Sequence, residues 1–357
     1  MPNEFKINNF DLLRIFAATQ VLIGHGIYHL GLDWPVWWAP LGLLPGVPIF
    51  FVISGFLISA AWERSETWQN YVEARMLRIF PALWCCVALT VLVFGAMGVD
   101  FTRWQTLPWL AAQAVGLIYT PGFLREFGMG SYNGSLWTIP LELQFYCVLP
   151  LVYWAMTKTR RDLRTLVFVM LMFLAIALLT RLMFPGFGLH HEGGSEPLLE
   201  KLLRYSFLPH FYLFLLGVLL QRLQAYRWSA IRGKGIYWLA AYMAFNFLIP
   251  GTVWTYLPSM ILLGISTIAL AYTRPELAGR LLRHQDVSYG VYIYHGLLLN
   301  VFLEIGWRGE PVFVAMLCAA TFVMAWLSWR LVERPCLTLK GRWSSRPSSV
   351  RRAGPVS

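Results

Sequence analysis

The sequence predicts an all-α polytopic membrane protein: about ten transmembrane helices in one bundle, with both termini cytoplasmic. Three observations predict it. The 357 residues are 57% hydrophobic and 13% charged, with a mean hydropathy of +0.55, against roughly 45–50% apolar and about 25% charged in a soluble domain. The apolar residues fall in successive blocks of 16 to 21, near the ~20 residues that span a hydrocarbon core. The net charge of +11 is concentrated in the breaks between blocks, which reads as membrane topology and excludes nucleic acid as the partner of the basic residues.

Spans are expected at 10–30, 44–62, 79–98, 137–157, 165–184, 206–221, 235–250, 253–272, 287–305 and 312–332. The first stays as a helix, because it carries Asp11 and Arg14 and ends without the small-residue site of a cleaved signal peptide. Of 29 Lys and Arg, 21 lie in the N-terminus, 63–78, 158–164, 222–234, 273–286 and the segment after 332, and five in the alternate connections. Arg14, Arg181 and Arg330 lie within spans. That asymmetry puts the basic connections and both termini inside. The apolar stretch Gln105 to Thr120 is read as a re-entrant or interfacial element of an outer loop, since an eleventh span there would send every later basic connection outward. The chain thus divides into a membrane domain over 1–336 and a basic tail over 337–357, rich in Arg, Ser and Pro and expected to be disordered. Five cysteines, four of them inside spans, imply no disulfide framework.

Ionisable groups inside a span are costly and point to function. Arg14 and His25 are 11 residues apart, which leaves them within about 20° on one helix face and roughly 16 Å apart along its axis. This stripe carries a cation near the inner end and an imidazole near the outer end. Equally, His25 would serve as a hydrogen-bonding core residue and Arg14 as a snorkelling one. If each span starts at the bilayer edge, Glu142 comes about 7 Å below the outer boundary, level with His25, where it would orient the imidazole. Arg75 and Arg78, spaced i, i+3, present two guanidinium forks suited to phosphate oxygens and, with Arg14, would form an inner cationic cluster; as isolated residues they would be inner-boundary anchors. Ser54-Gly55 reads as a helix-packing pair, and His295 either lines the same cavity or is a satisfied interior histidine. His190, His191 and Glu192 lack the spacing of a zinc site, and no metal is expected.

These residues also carry a resemblance. Asp11-Leu12-Leu13-Arg14 with His25, Phe50-Phe51 with Ser54-Gly55-Phe56-Leu57, and Arg75-x-x-Arg78-Ile79-x-Pro81 resemble the acyltransferase 3 family of membrane acyltransferases. Ser135-Leu136-Trp137-Thr138 with Glu142 and Phe145-Tyr146, Ser288-Tyr289 with Tyr292 and His295, and Glu333-Arg334-Pro335 follow in the same order, so the resemblance runs to about Cys336. It implies transfer of an acyl group, typically acetyl, from cytoplasmic acyl-CoA to a hydroxyl of a surface carbohydrate such as O-antigen, exopolysaccharide or lipo-oligosaccharide, at the bacterial inner membrane. It makes His25 and Arg14 the essential pair and places Arg75 and Arg78 in the acyl-CoA region. No permanently bound cofactor is expected; acyl-CoA is a co-substrate, and the partners are the membrane-associated glycan and the bilayer. Some relatives carry a further extracytoplasmic esterase-like domain, whose role a separate acyl-transfer partner would fill here. The competing class is a proton-coupled transporter or flippase, against which the sequence shows no internal repeat and no paired broken helices.

Overall fold

The computed structural model describes residue 5 and residues 7–159, 162–187, 197–283 and 285–340. His190, His191, Glu192 and the tail from 341 onward lie outside the described residues. Every predicted span is helical: α1 Phe10–His29, α2 Gly46–Arg64, α3 Trp68–Ala96, α4 Thr138–Thr159, α5 Asp162–Met183, α6 Phe211–Arg222, α7 Gly235–Leu248, α8 Val253–Ala271, α9 Ser288–Glu304 and α10 Pro311–Ser328. Seven of them are long and apolar enough to cross a membrane, and α6, α7 and α9 are shorter, at 12, 14 and 17 residues. The chain is an all-helical, multi-pass membrane protein.

Burial explains the short helices α6 and α9. Residues on every side of both are covered by protein, so neither needs the long lipid-facing surface of α5, which exposes Phe168, Leu171 and Leu179. Lipid is as apolar as leucine, so helices join here through close packing of small residues. The tightest crossing is α2 on α6. A Cβ added to Gly55 would overlap the Phe214 carbonyl, and one added to Gly217 would overlap the Val52 carbonyl.

The helices are staggered. Gly46, which opens α2, lies against the Ala17 carbonyl in the middle of α1, and its N–H donates to Gln20 Oε1 at 3.0 Å. Asn9 ties the start of α1 to the end of α8: its N–H donates to the Ala271 carbonyl at 2.9 Å and its side chain to the Thr273 and Arg274 carbonyls. Helix α3 begins 11 residues before the predicted start, capped by Thr67, which accepts from Asn70 N. Arg75 and Arg78 are therefore inside a 29-residue helix, because buried Tyr71, Ala74 and Leu77 carry its packed face inward past the apolar block.

As expected, 105–120 does not span. It forms only the nine-residue helix Thr106–Ala114, and the loop after it turns back into the bundle. Asn300 of α9 holds that loop, donating to the Ser131 and Tyr132 carbonyls and accepting from Met129 N. Asn133 donates to the Ile293 carbonyl at 2.7 Å, beside Gly296, where a Cβ would overlap the Asn133 side chain. Irregular backbone at this depth is tolerated because protein hydrogen bonds satisfy it. All five cysteines are free.

Gly55→Leu is expected to abolish folded protein, read as loss of the monodisperse peak in detergent size-exclusion chromatography. Gly122→Ala, where an added Cβ meets nothing within 4 Å, is expected to leave that peak unchanged.

Candidate active site

A cavity of about 100 Å³ lies among α1, α2, α3, α4 and α9. Arg14, Ser54, Arg75, Arg78, Glu142 and Tyr146 line its polar part, and Phe50, Thr138 and Tyr292 line the rest. The structure thus brings together four of the five predicted site residues, Arg14, Arg75, Arg78 and Glu142. His25 does not line this cavity.

The inner arginines converge on a residue the sequence analysis passed over. Asp286, just before α9, takes Arg14 Nη1 at 3.0 Å and Arg78 Nη2 on the same oxygen, Oδ2. Its Oδ1 accepts from the Ser288 N–H at 3.2 Å and from the Ser288 hydroxyl. Arg78 also faces Glu333 at 3.7 Å, which a π-helical turn, Trp329–Glu333, places at the end of α10. Burial opposes ionisation of Asp286, but Arg78, Arg14 and the Ser288 hydrogen bonds outweigh it and lower its carboxyl from 3.8 to about 2. Arg14 is paired with Asp286 and, at 3.2 Å, with Asp11, and Arg78 is paired with Asp286 and more distantly with Glu333. Arg75 differs. Its guanidinium lies 5.9 Å from the Tyr146 ring centroid, its Nε is buried without a hydrogen-bond partner, and it forms no ion pair among the described residues.

Glu142 does not pair with His25. It accepts from Ser54 Oγ at 3.4 Å and from the Tyr146 hydroxyl, at the level of the arginines. Depth counting failed because it took each span to start at the bilayer edge, whereas the chain ahead of α4 has already descended into the bundle, with Asn133 bonded to the middle of α9. Ser54 and Gly55 also divide their tasks: the serine faces the cavity and the glycine packs.

The partner of His25 is His295, with Nδ1 of the first 3.1 Å from Nε2 of the second. His295 is fully buried, and its Nδ1 lies 3.1 Å from the Val291 carbonyl. A carbonyl only accepts, so that nitrogen carries the proton and, in the neutral ring, Nε2 is an acceptor. With both rings neutral, His25 Nδ1 must then donate, which leaves His25 Nε2 as the basic nitrogen. Tyr292 stands between this pair and the cavity: its ring centroid is 6.0 Å from that of His295 and 5.6 Å from that of Phe50, and its hydroxyl meets Thr138 Oγ1 at 2.9 Å.

Comparison with known proteins decides among the classes that such intramembrane Arg, His and Glu residues allow. The acyltransferase domain of the acyltransferase 3 family matches residues 7–330. The chain belongs to the acyltransferase 3 family. It is similar to Nodulation protein 10 of Rhizobium leguminosarum bv. viciae, 33% identical over 96% of each chain. It is also similar to the O-acetyl transferase of Shigella phage Sf6, 28% identical over 93% of this chain and 97% of that one. A third relative, the putative peptidoglycan O-acetyltransferase YrhL of Bacillus subtilis, is 23% identical over 97% of this chain but only 57% of its own length. No solved structure matches. The protein is thus a membrane-bound acyltransferase of the O-acetyltransferase type, and the transporter reading is set aside.

Within this acyltransferase 3 fold, Asp286 and Glu333 escaped sequence reasoning because the inner connections were read for Lys and Arg alone. Glu333 was quoted only as part of a closing motif. Their one available signal was that three arginines at an inner boundary need counter-charges.

Because the folded value of Asp286 is depressed, its stabilisation is full above 3.8 and is lost as pH falls towards about 2. The thermal midpoint of the purified protein, read by tryptophan fluorescence, is expected to fall through that window. Asp286→Asn is expected to lower the midpoint at neutral pH, by removing the carboxylate that Arg14 and Arg78 share, and to flatten the acid limb.

Proposed function

We propose that this enzyme moves an acetyl group from cytoplasmic acyl-CoA to a hydroxyl of a surface carbohydrate, such as O-antigen, exopolysaccharide or lipo-oligosaccharide, at the bacterial inner membrane. The observation that carries the chemistry is the His25–His295 hydrogen bond, which points Nε2 of His25 to the role of general base. Nε2 takes the proton of the acceptor hydroxyl as its oxygen attacks the thioester carbonyl. The carbon–sulfur bond then breaks, and the imidazolium returns the proton to the departing thiolate. His295 accepts from Nδ1–H throughout, and so takes the orienting part expected of Glu142.

Arg75 is the residue best placed for the anionic donor, since its charge is not already matched. It also lines a second cavity of about 270 Å³, with Arg64 and Lys340 and with the carboxylates of Glu66 and Glu73, on the side that the charge map puts inside. Arg75 lines both this cavity and the one beneath Tyr292, so coenzyme phosphates held by Arg64 and Lys340 would direct the thioester past Arg75 toward the inner cavity. A carbohydrate acceptor is supported by the name of the Bacillus subtilis relative, a putative peptidoglycan O-acetyltransferase.

His25→Ala is expected to reduce glycan acetylation by about 10²- to 10⁴-fold at equal protein level, read by mass spectrometry of the surface glycan. Wild-type acetylation in that variant would end the assignment. With purified protein and labelled acetyl-CoA, Arg75→Gln is expected to raise KM for the thioester, whereas His295→Ala lowers kcat with that KM unchanged. His295→Gln, which keeps an acceptor oxygen, is expected to recover part of the lost kcat.

A further inference from the structure

Another cavity, on the other side of α2, is larger than the one that holds the arginines. It measures about 780 Å³, within the ~300–1,000 Å³ usual for ligand sites. Its walls are the start of α2, the end of α5, the start of α6, the end of α7 and the start of α8, all ends that the charge map puts outside. Trp137, Tyr242 and Tyr256 give it broad aromatic faces, and Asn246 and Thr255 give it amide and hydroxyl groups. Flat aromatic surfaces with interspersed hydrogen-bonding groups suit the apolar faces and hydroxyls of sugar rings.

Two further observations give this cavity a task. It shares Val47 and Phe51 with the inner cavity, so its occupant lies one layer of side chains from the arginine site. It also contains Arg181, an intramembrane cation outside the donor site. The Arg181 guanidinium carbon is 3.3 Å from the Tyr256 ring centroid, and Nη1 donates to the Phe187 carbonyl at 3.3 Å. Among the described residues Arg181 forms no ion pair. A cation at this depth is costly without a counter-charge, and the aromatic and carbonyl contacts orient the guanidinium without neutralising it.

We propose that this outer cavity binds the acceptor saccharide and that Arg181 selects one bearing a negative charge next to the sugar to be acetylated. The proposal rests on the acyltransferase reading above and adds the acceptor's site and charge. The anion would be a carboxylate on the sugar or the phosphate that joins a glycan to its lipid carrier; both offer the oxygens a guanidinium binds.

The test is equilibrium binding to the purified full chain in nanodiscs, using three fluorescent probes: a glucuronate-containing disaccharide, its neutral glucose counterpart and a polyprenyl-phosphate-linked sugar. At least one anionic probe is expected to bind about ten-fold or more tightly than the neutral one, a difference of about 1.4 kcal/mol. The probe that does so identifies the source of the charge. R181Q is expected to remove that preference and R181K to retain most of it, with both variants eluting as wild type by size exclusion. Equal binding of neutral and anionic probes, no binding of either anionic probe, or an unchanged preference in R181Q would overturn the proposal. Should R181Q misfold, R181K and the wild-type preference decide it. Failure of the acyltransferase reading is separately visible, as wild-type protein that binds saccharide but consumes no acetyl-CoA.

Discussion

The carboxylate of Asp286 sets the register on which the His25–His295 pair depends. It stands at the foot of α9, fixed by Ser288, and holds Arg14 near the foot of α1. From those two points α1 and α9 run side by side in the same direction. His25 is 11 residues beyond Arg14 and His295 is nine beyond Asp286, rises of roughly 16 and 13 Å. A contact at the foot is thus repeated as a contact above, where the two imidazoles meet at 3.1 Å. Arg78 on the same carboxylate brings in α3, and with it Arg75.

This arrangement separates two tasks that a single cationic cluster would have merged. Arg14 and Arg78 hold the helices, and Asp286, with Asp11 beside Arg14, supplies the charge that a buried pair requires. Arg75, three residues before Arg78 and one helix turn away, forms no ion pair among the described residues, which is what the proposed donor role requires. The glycine crossing of α2 on α6 and the asparagine-held loop from Met129 to Asn133 fix the remaining walls. Between the imidazoles and the cavity stands one ring, Tyr292. In the proposed reaction, movement of that ring would bring a thioester carbonyl to Nε2 of His25.

Much of the fold was legible in the sequence because bilayer thickness limits helix length and basic residues mark the inner connections. Each of the ten segments is helical, and Gln105 to Thr120 does not span. The site was legible where one helix carries both residues: the spacing of Arg14 and His25 needs only helix geometry. It failed for Glu142, whose depth depends on how far the preceding loop descends, and that is set by Asn133 and Asn300 on a distant helix. Asp286 was hidden in a connection of 14 residues read only for its positive charge. His295 was noticed, but its tie to His25 depends on the relative register of two helices 270 residues apart, which periodicity does not contain.

The central claim is that His295 holds His25 with its basic nitrogen at Nε2. Nitrogen NMR of protein labelled at its seven histidines, with signals assigned through His25 and His295 substitutions, tests it directly. The account predicts that at neutral pH both rings are protonated at Nδ1 and bare at Nε2, with a coupling across the Nδ1–H···Nε2 hydrogen bond. A His25 signal protonated at Nε2, or one unchanged when His295 is replaced, would contradict it.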